Sequence, residues 1–262
     1  MGGIQVGTSG YSFPDWVGPF YPPGTRPADQ LGYYAGQFGV LELNTSYYRI
    51  PAPQSTARMA GRTPPEFGFI VKLHKDMTHE QSREPALYSE FAASLEPLRE
   101  AGKMRGLLAQ FPWAFRPTRP AVDHLRFLRK AFPDDSLHVE FRRSEWDRPD
   151  CFDFLKRHGI GYCCVDEPPL PGLMPARSWL TSETGYVRLH GRNASSWWGG
   201  TGSQRYNYNY SEKELTEWLS NLREMADKAR QTYVFFNNCH AGHAASNARL
   251  MKELLAREGL PF

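Results

Sequence analysis

Cysteine is scarce in this chain: four occur among 262 residues, at Cys151, Cys163, Cys164 and Cys239. None form a Cys-x-x-Cys pair. Neither a disulfide framework nor a thiolate metal site is indicated, and reduced thiols in a cytoplasmic setting are expected. Long apolar runs are missing as well. Nothing approaches the ~18 consecutive apolar residues that a membrane-spanning helix needs, so no membrane partner is expected. The opening MGGIQVGTSGYSF has no basic segment leading into an apolar one, and no secretory leader is expected. Neither sign of charge dominates: 31 Lys and Arg against 28 Asp and Glu leave a net +3. That is too mild for a surface devoted to nucleic acid, although it leaves room for a local basic patch. G-x-G-x-x-G, His-Glu-x-x-His and G-x-S-x-G are all absent, which removes the usual signals for a dinucleotide fold, a zinc protease and a serine hydrolase.

What is present points to a folded enzyme-sized domain. Hydrophobic residues make up 40% and charged residues 23%, a globular balance, and the chain is long enough to bury a core unaided. Aromatic content is high at 14%, and many of these residues fall in loop-like stretches. Eight short apolar runs have strand length, at 4–9, 39–44, 67–74, 105–111, 137–142, 160–166, 185–191 and 232–238. Helical periodicity lies between them at 28–38, 86–102, 119–132, 149–159 and 211–230, with a last helix at 244–258. Ser211 and Glu214 form a capping-box pattern. The stretch after Asp166 is too rich in proline for a long helix, and 191–210 is a long irregular loop carrying Trp197, Trp198, Tyr206, Tyr208 and Tyr210. Eight strand-helix units in one chain of this length predict a single-domain α/β fold, a (β/α)₈ TIM-type barrel spanning 1–262.

In such a barrel the active site gathers at the C-terminal ends of the strands. Those ends carry Ser9, Glu42 and Asn44, Lys72 and His74, Gln110, Glu140 and Arg142, Asp166, Arg188 and His190, and Asn237 or Asn238. Alternation along a strand puts Glu42 with Asn44, Lys72 with His74, Glu140 with Arg142, and Arg188 with His190 on shared faces. Leu43, Leu73, Phe141 and Leu189 between them would face the helices. Four strands would thus each aim two polar groups into one mouth. With Arg49, Arg192 and Arg205 nearby, that mouth is expected to be net positive and to favour a phosphate or carboxylate. Loop aromatics, among them Trp16, Tyr48, Trp113, Trp197 and Trp198, could stack on a sugar ring or a base.

The same residues lie in motifs that resemble the YecE-like family, also called domain of unknown function 72. They are GTSGYSFPDW, FYP at 20–22, YYA at 33–35, LELNTSYYRIP at 41–51, TPPEFGFIVKLHKDMTH at 63–79, QFP at 110–112, VEFRRSEW at 139–146, VRLHGRN at 187–193, RYNYNYSEKEL at 205–215 and FFNN at 235–238. The resemblance covers nearly the whole chain. It implies a TIM-type barrel and a bacterial or archaeal source, and it brings no settled activity. Its signature positions here are Trp16, Glu42, Asn44, Tyr48, Arg49, Lys72, Gln110, Glu140, Arg142, Arg188, His190, Gly191, Asn237 and Asn238. Trp113, where the family often has a second proline, and the Cys239-His240 pair after the asparagines depart from the pattern.

Several chemistries fit these residues. Glu140 and Asp166, ending neighbouring strands, could form an acid/base pair for hydrolysis of an anionic sugar-phosphate or phosphodiester-type substrate, with Glu42 and His190 beside them. Alternatively the two carboxylates could be held in structural ion pairs. Lys72 could be a Schiff-base lysine, but pairing with Glu42 would make it a binding group, and that is the expectation. Trp16, Asn44, Tyr48, Arg49, Lys72, Gln110, Arg142, Arg188, Asn237 and Asn238 would bind the ligand. No cofactor is evident. A divalent metal held by His190, Glu140, Asp166 and Glu42, by fold analogy with endonuclease-IV and xylose-isomerase barrels, is a disfavoured alternative because three basic residues surround the carboxylates. A third reading is a non-catalytic nucleic-acid-binding protein that uses Arg192, Arg205 and the aromatic 191–210 loop.

Overall fold

The computed structural model describes residues 2–200 and 202–262. Eight parallel strands close into a barrel in chain order: β1 Gly3–Ser9, β2 Val40–Leu43, β3 Gly68–Lys72, β4 Met104–Gln110, β5 Leu137–Glu140, β6 Gly161–Asp166, β7 Thr184–Leu189 and β8 Gln231–Phe236. The ring closes where β1 pairs with β8, from Gly3 opposite Gln231 to Thr8 opposite Phe236. Every expected strand is present, and helices flank the ring, as a (β/α)₈ TIM-type barrel requires.

Proline explains how the helices begin. Pro27–Ala35, Pro53–Gly61, Pro85–Glu100, Arg119–Ala131 and Pro149–Arg157 all carry it in their first two positions, where the missing N–H costs nothing and the fixed φ suits the helix. Pro53–Gly61 and the single turn Lys75–Thr78 were not expected from periodicity. The expected helix over 211–230 is two pieces, Glu212–Thr216 and Leu219–Lys228. At the break, Trp218 turns its indole inward to donate to Asp166 Oδ2 at 2.7 Å. The capping box is formed, with Ser211 and Glu214 satisfying each other's backbone N–H. Between β6 and β7 no helix forms, as the prolines there predict. The 191–210 stretch holds a 3₁₀ turn, Ala194–Ser196, and the short helix Gly202–Arg205.

Between strands and helices the core is apolar and aromatic. Phe111, Phe115, Phe141 and Trp146 form one stack, with Phe141 and Trp146 rings 4.1 Å apart. No helix among the described residues is long and apolar enough to cross a membrane.

Candidate active site at the barrel mouth

Inside the C-terminal end of the barrel, charged side chains that are distant in sequence meet in one network. Arg188 lies at its centre, 1% exposed. Its Nη2 is 2.7 Å from Glu42 Oε1 and its Nη1 donates to Glu140 Oε2. The Tyr186 hydroxyl donates to Glu42 Oε2 at 2.6 Å, and Ser9 Oγ lies 3.3 Å from Arg188 Nη2. Above this layer Arg142 reaches down, Nη2 2.8 Å from Glu140 Oε1. His190 Nε2 is 3.3 Å from the same oxygen. Each buried carboxylate therefore has its compensating cation, which burial of charge demands.

The protonation states follow from these contacts. Burial alone would raise the Glu140 carboxyl, but the Arg142 and Arg188 guanidiniums and His190 hold it well below its usual range. Burial, with Arg142 nearby, lowers His190 to about 3, so the ring is neutral. Asn237 Nδ2 lies 3.0 Å from Nδ1 of His190; with the amide donating there, the ring hydrogen sits on Nε2, facing Glu140. Glu167 is only 4% exposed, and burial raises it to about 7 although Arg142 donates to its Oε2 at 3.1 Å.

The structure gathers Glu42, Lys72, Gln110, Glu140, Arg142, Arg188, His190 and Asn237 at the mouth. It places other expected residues elsewhere. Asp166 does not approach Glu140. On β6, Cys163 faces Glu140, its Sγ 3.9 Å from Oε2, so alternation turns Asp166 to the outside of the wall. There Asp166 accepts from Arg192, from the Tyr210 hydroxyl at 2.7 Å and from Trp218. An acid/base pair of Glu140 with Asp166 is thereby excluded, and Asp166 is an anchor for the 191–218 segment. The next residue on the inner parity is Glu167, which the sequence reading missed although the same period-2 test identifies it.

Lys72 does not pair with Glu42. Its Nζ donates to Gln110 Oε1 at 2.8 Å and stands 4.3 Å from the centre of the Tyr47 ring. His74 does not share the face of Lys72, because β3 ends at Lys72 and His74 caps the next turn, accepting from the Asp76 N–H. Asn44 leaves the strand conformation at φ −99° and ψ −14°, so the pleat does not carry it along the face of Glu42. Trp16 is buried among Phe13, Phe20 and Tyr21 and donates to the Cys239 carbonyl at 2.6 Å, which makes it a loop anchor. Asn238 is buried outside the barrel wall and donates to Tyr208 O and Asn247 Oδ1. Tyr48 and Arg49 are exposed on the loop after β2.

A cavity of about 270 Å³ opens above the network. Gln110 and Arg142 form its floor, and Trp113, Trp197, Trp198, Tyr206, His79 and Arg205 are among its walls. Trp113 and Trp198 meet edge to face at 4.7 Å, and the Arg143 guanidinium lies 4.4 Å from the Trp113 ring. Arg205 lies over Trp197 at 5.6 Å, with its Nε buried and without a partner among the described residues. Trp113, a departure from the family pattern, is thus part of the wall. A larger cavity of about 1470 Å³ lies at the opposite end, lined by strand starts such as Met104, Thr184 and Gln231. Barrel chemistry resides at C-terminal strand ends, so size does not decide between the two.

The donor set does not suit a metal. Asp166 is on the far side of the wall, and Glu42 and Glu140 are occupied by guanidiniums. Among the described residues no three His, Cys, Asp or Glu side chains are placed to hold an ion.

The model of the family described as protein of unknown function DUF72 matches residues 5–261. The chain belongs to the DUF72 family. This DUF72 chain is 32% identical to the UPF0759 protein YunF of Bacillus subtilis strain 168, over 96% of its own length and 94% of the relative's. It is 25% identical to the UPF0759 protein YecE of Escherichia coli strain K12, over 66% of its length and 62% of the relative's. Among solved structures, a DUF72 family protein from Thermotoga maritima MSB8 superposes with a TM-score of 0.90 at 42% identity, covering 97% of this chain and 99% of that one. A second, from Enterococcus faecalis V583, gives 0.87 at 28% identity, covering 97% and 95%. These likenesses fix family and fold for this DUF72 protein and carry no reaction.

Proposed function

We propose that the mouth of the barrel is an enzymatic site for a small anionic ligand of sugar-phosphate or carboxylate type. The observation that carries this reading is the composition of the 270 Å³ cavity: Arg142 and Arg205 line it with Gln110, and among the described residues no Asp or Glu does. The fixed carboxylates Glu42 and Glu140 lie beneath, already neutralised by Arg188 and Arg142 together. An entering anion would meet the Arg142 guanidinium, which also serves Glu140 and Glu167, and the unpartnered Nε of Arg205, with the Lys72 amine held on Gln110 beside them. The volume suits a ligand smaller than the usual drug-sized occupant of about 300–1000 Å³. The tryptophan walls favour one carrying a flat or sugar-like face.

Hydrolysis by a carboxylate pair loses its support, because Asp166 is absent from the mouth and Glu140 is held ionised. Titration calorimetry with glycerol 3-phosphate tests the reading. Saturable one-to-one binding is expected, weakened roughly tenfold in Arg205→Ala, the scale of one charge-assisted hydrogen bond. Equal affinity in that variant would contradict it. The nucleic-acid alternative rests on Trp113, Trp198, Arg143 and Arg205 at the rim. It requires a steep loss of oligonucleotide affinity with salt, a slope that grows with the number of phosphates contacted and that a single small anion does not share.

A further inference from the structure

Lys72 is the cation that the network leaves out. Glu42 is taken by Arg188 and Tyr186, and Glu140 by Arg188, Arg142 and His190. Lys72 Nζ has a neutral acceptor, Gln110 Oε1, and among the described residues no carboxylate lies within ion-pair distance of it. The Tyr47 face favours the ammonium, by about 0.5–2 kcal/mol for contacts of this kind. Burial, followed by repulsion from Arg188, outweighs it and brings the amine down to about 7. Roughly half of such amines are free bases at neutral pH, against about one in three thousand for an ordinary lysine. Lys72 is half-buried, and Gln110, which accepts one of its N–H bonds, lines the cavity. A desolvated amine beside other cations is the arrangement that activates lysine toward carbonyl carbon.

We infer that Lys72 is a nucleophile that forms an imine with a small anionic oxo compound bound at the mouth. The inference rests on the reading of the mouth as an anion site and narrows it to ligands carrying both an acid group and an aldehyde or ketone. In the step, the Nζ lone pair forms the C–N bond while the carbonyl π pair moves to oxygen. One proton passes from nitrogen to that oxygen. A second departs with the hydroxyl as water, leaving the C=N bond. The anionic group of the ligand would rest on Arg142 and Arg205, and Gln110 would orient the amine.

Borohydride trapping tests this on the whole protein. Wild type is incubated at pH 7 with pyruvate and sodium borohydride, and adducts are located by peptide mass mapping. Hydride converts the imine to a secondary amine, so the mass gain is that of pyruvic acid less one oxygen. Labelling of Lys72 is expected to exceed that of any other lysine by roughly tenfold or more, given its free-base fraction at neutral pH. It should vanish in Lys72→Met, a variant whose melting curve reports that it folds. Labelling spread evenly over surface lysines, with Lys72 no higher than the rest, overturns the inference. Propanal, which lacks the acid group, and added glycerol 3-phosphate separate the two claims. Lys72 labelling by propanal and pyruvate alike, unaffected by the phosphate ester, upholds the nucleophile and removes the anion site. Phosphate-ester binding without a Lys72 adduct from either probe keeps the anion site and removes the nucleophile.

Discussion

Asp166 and Glu167 are neighbours in the chain and face opposite sides of the barrel wall. Asp166 binds Arg192, Tyr210 and Trp218 outside; Glu167 meets Arg142 at the mouth. One residue of offset separates a structural carboxylate from one that belongs to the candidate site, and their variants should behave differently.

Glu167→Gln should change the pH dependence of stability. Burial raises the folded-state carboxyl to about 7, above its unfolded value of 4.5. The folded chain therefore holds this proton more tightly than the unfolded chain. The resulting stabilisation is fully present below 4.5 and is lost as pH rises through 7. Urea unfolding of wild type and variant from pH 4 to 8 should show a difference that grows in favour of the variant, by up to about 3 kcal/mol. A constant difference across that range would contradict the assignment.

Asp166→Asn should act first on stability, since Asp166 makes its contacts outside the barrel wall. The substitution leaves Arg192 with only its outer contacts to Glu214 and Glu217, and it mismatches the Tyr210 and Trp218 donors. A loss of about 3 kcal/mol, the scale for breaking a buried ion pair, is expected in urea unfolding. Affinity for glycerol 3-phosphate in the folded fraction should fall by less than in Arg205→Ala, because Asp166 acts on the mouth only through the 191–218 segment it anchors. Full stability with lost affinity would reverse the assignment.

Arg188→Met removes the cation shared by Glu42 and Glu140 and leaves two buried carboxylates facing a methyl thioether. Its cost is expected to be about 3–5 kcal/mol, read as a lower urea midpoint with an unchanged slope. Adding Glu42→Gln to that variant should recover part of the loss, because the charge left uncompensated is then gone while Glu140 keeps Arg142.

Trp198 is 55% exposed, so Trp198→Ala should alter stability by no more than about 0.5 kcal/mol. It should nonetheless weaken a sugar phosphate more than inorganic phosphate, because only the former has a face to stack. Equal weakening of both in calorimetry would deny the wall that role.

Much of this was legible in the sequence. Strand-length runs separated by helical periodicity predict the closed ring, and period-2 alternation correctly groups Glu42, Glu140, Arg188 and His190. The same rule fails at Lys72 and His74, since it presumes that a strand continues, and β3 stops at Lys72. At β6 the same alternation, counted from Cys163, turns Glu167 and not Asp166 toward the mouth. Which cation meets which anion was not legible. Arg188 reaches Glu42 across a gap of 146 positions and displaces the expected Lys72 partner. Trp16 and Asn238 look like site residues by position, but they are committed to backbone carbonyls at Cys239 and Tyr208.

Electron density at the barrel mouth in a crystal grown with glycerol 3-phosphate tests the central claim most directly. The account predicts a phosphate group within hydrogen-bond distance of Arg142 and Arg205, with the carbon chain against the tryptophan wall. Density for the ligand only in the cavity at the opposite end, with water alone above Arg142, would contradict it.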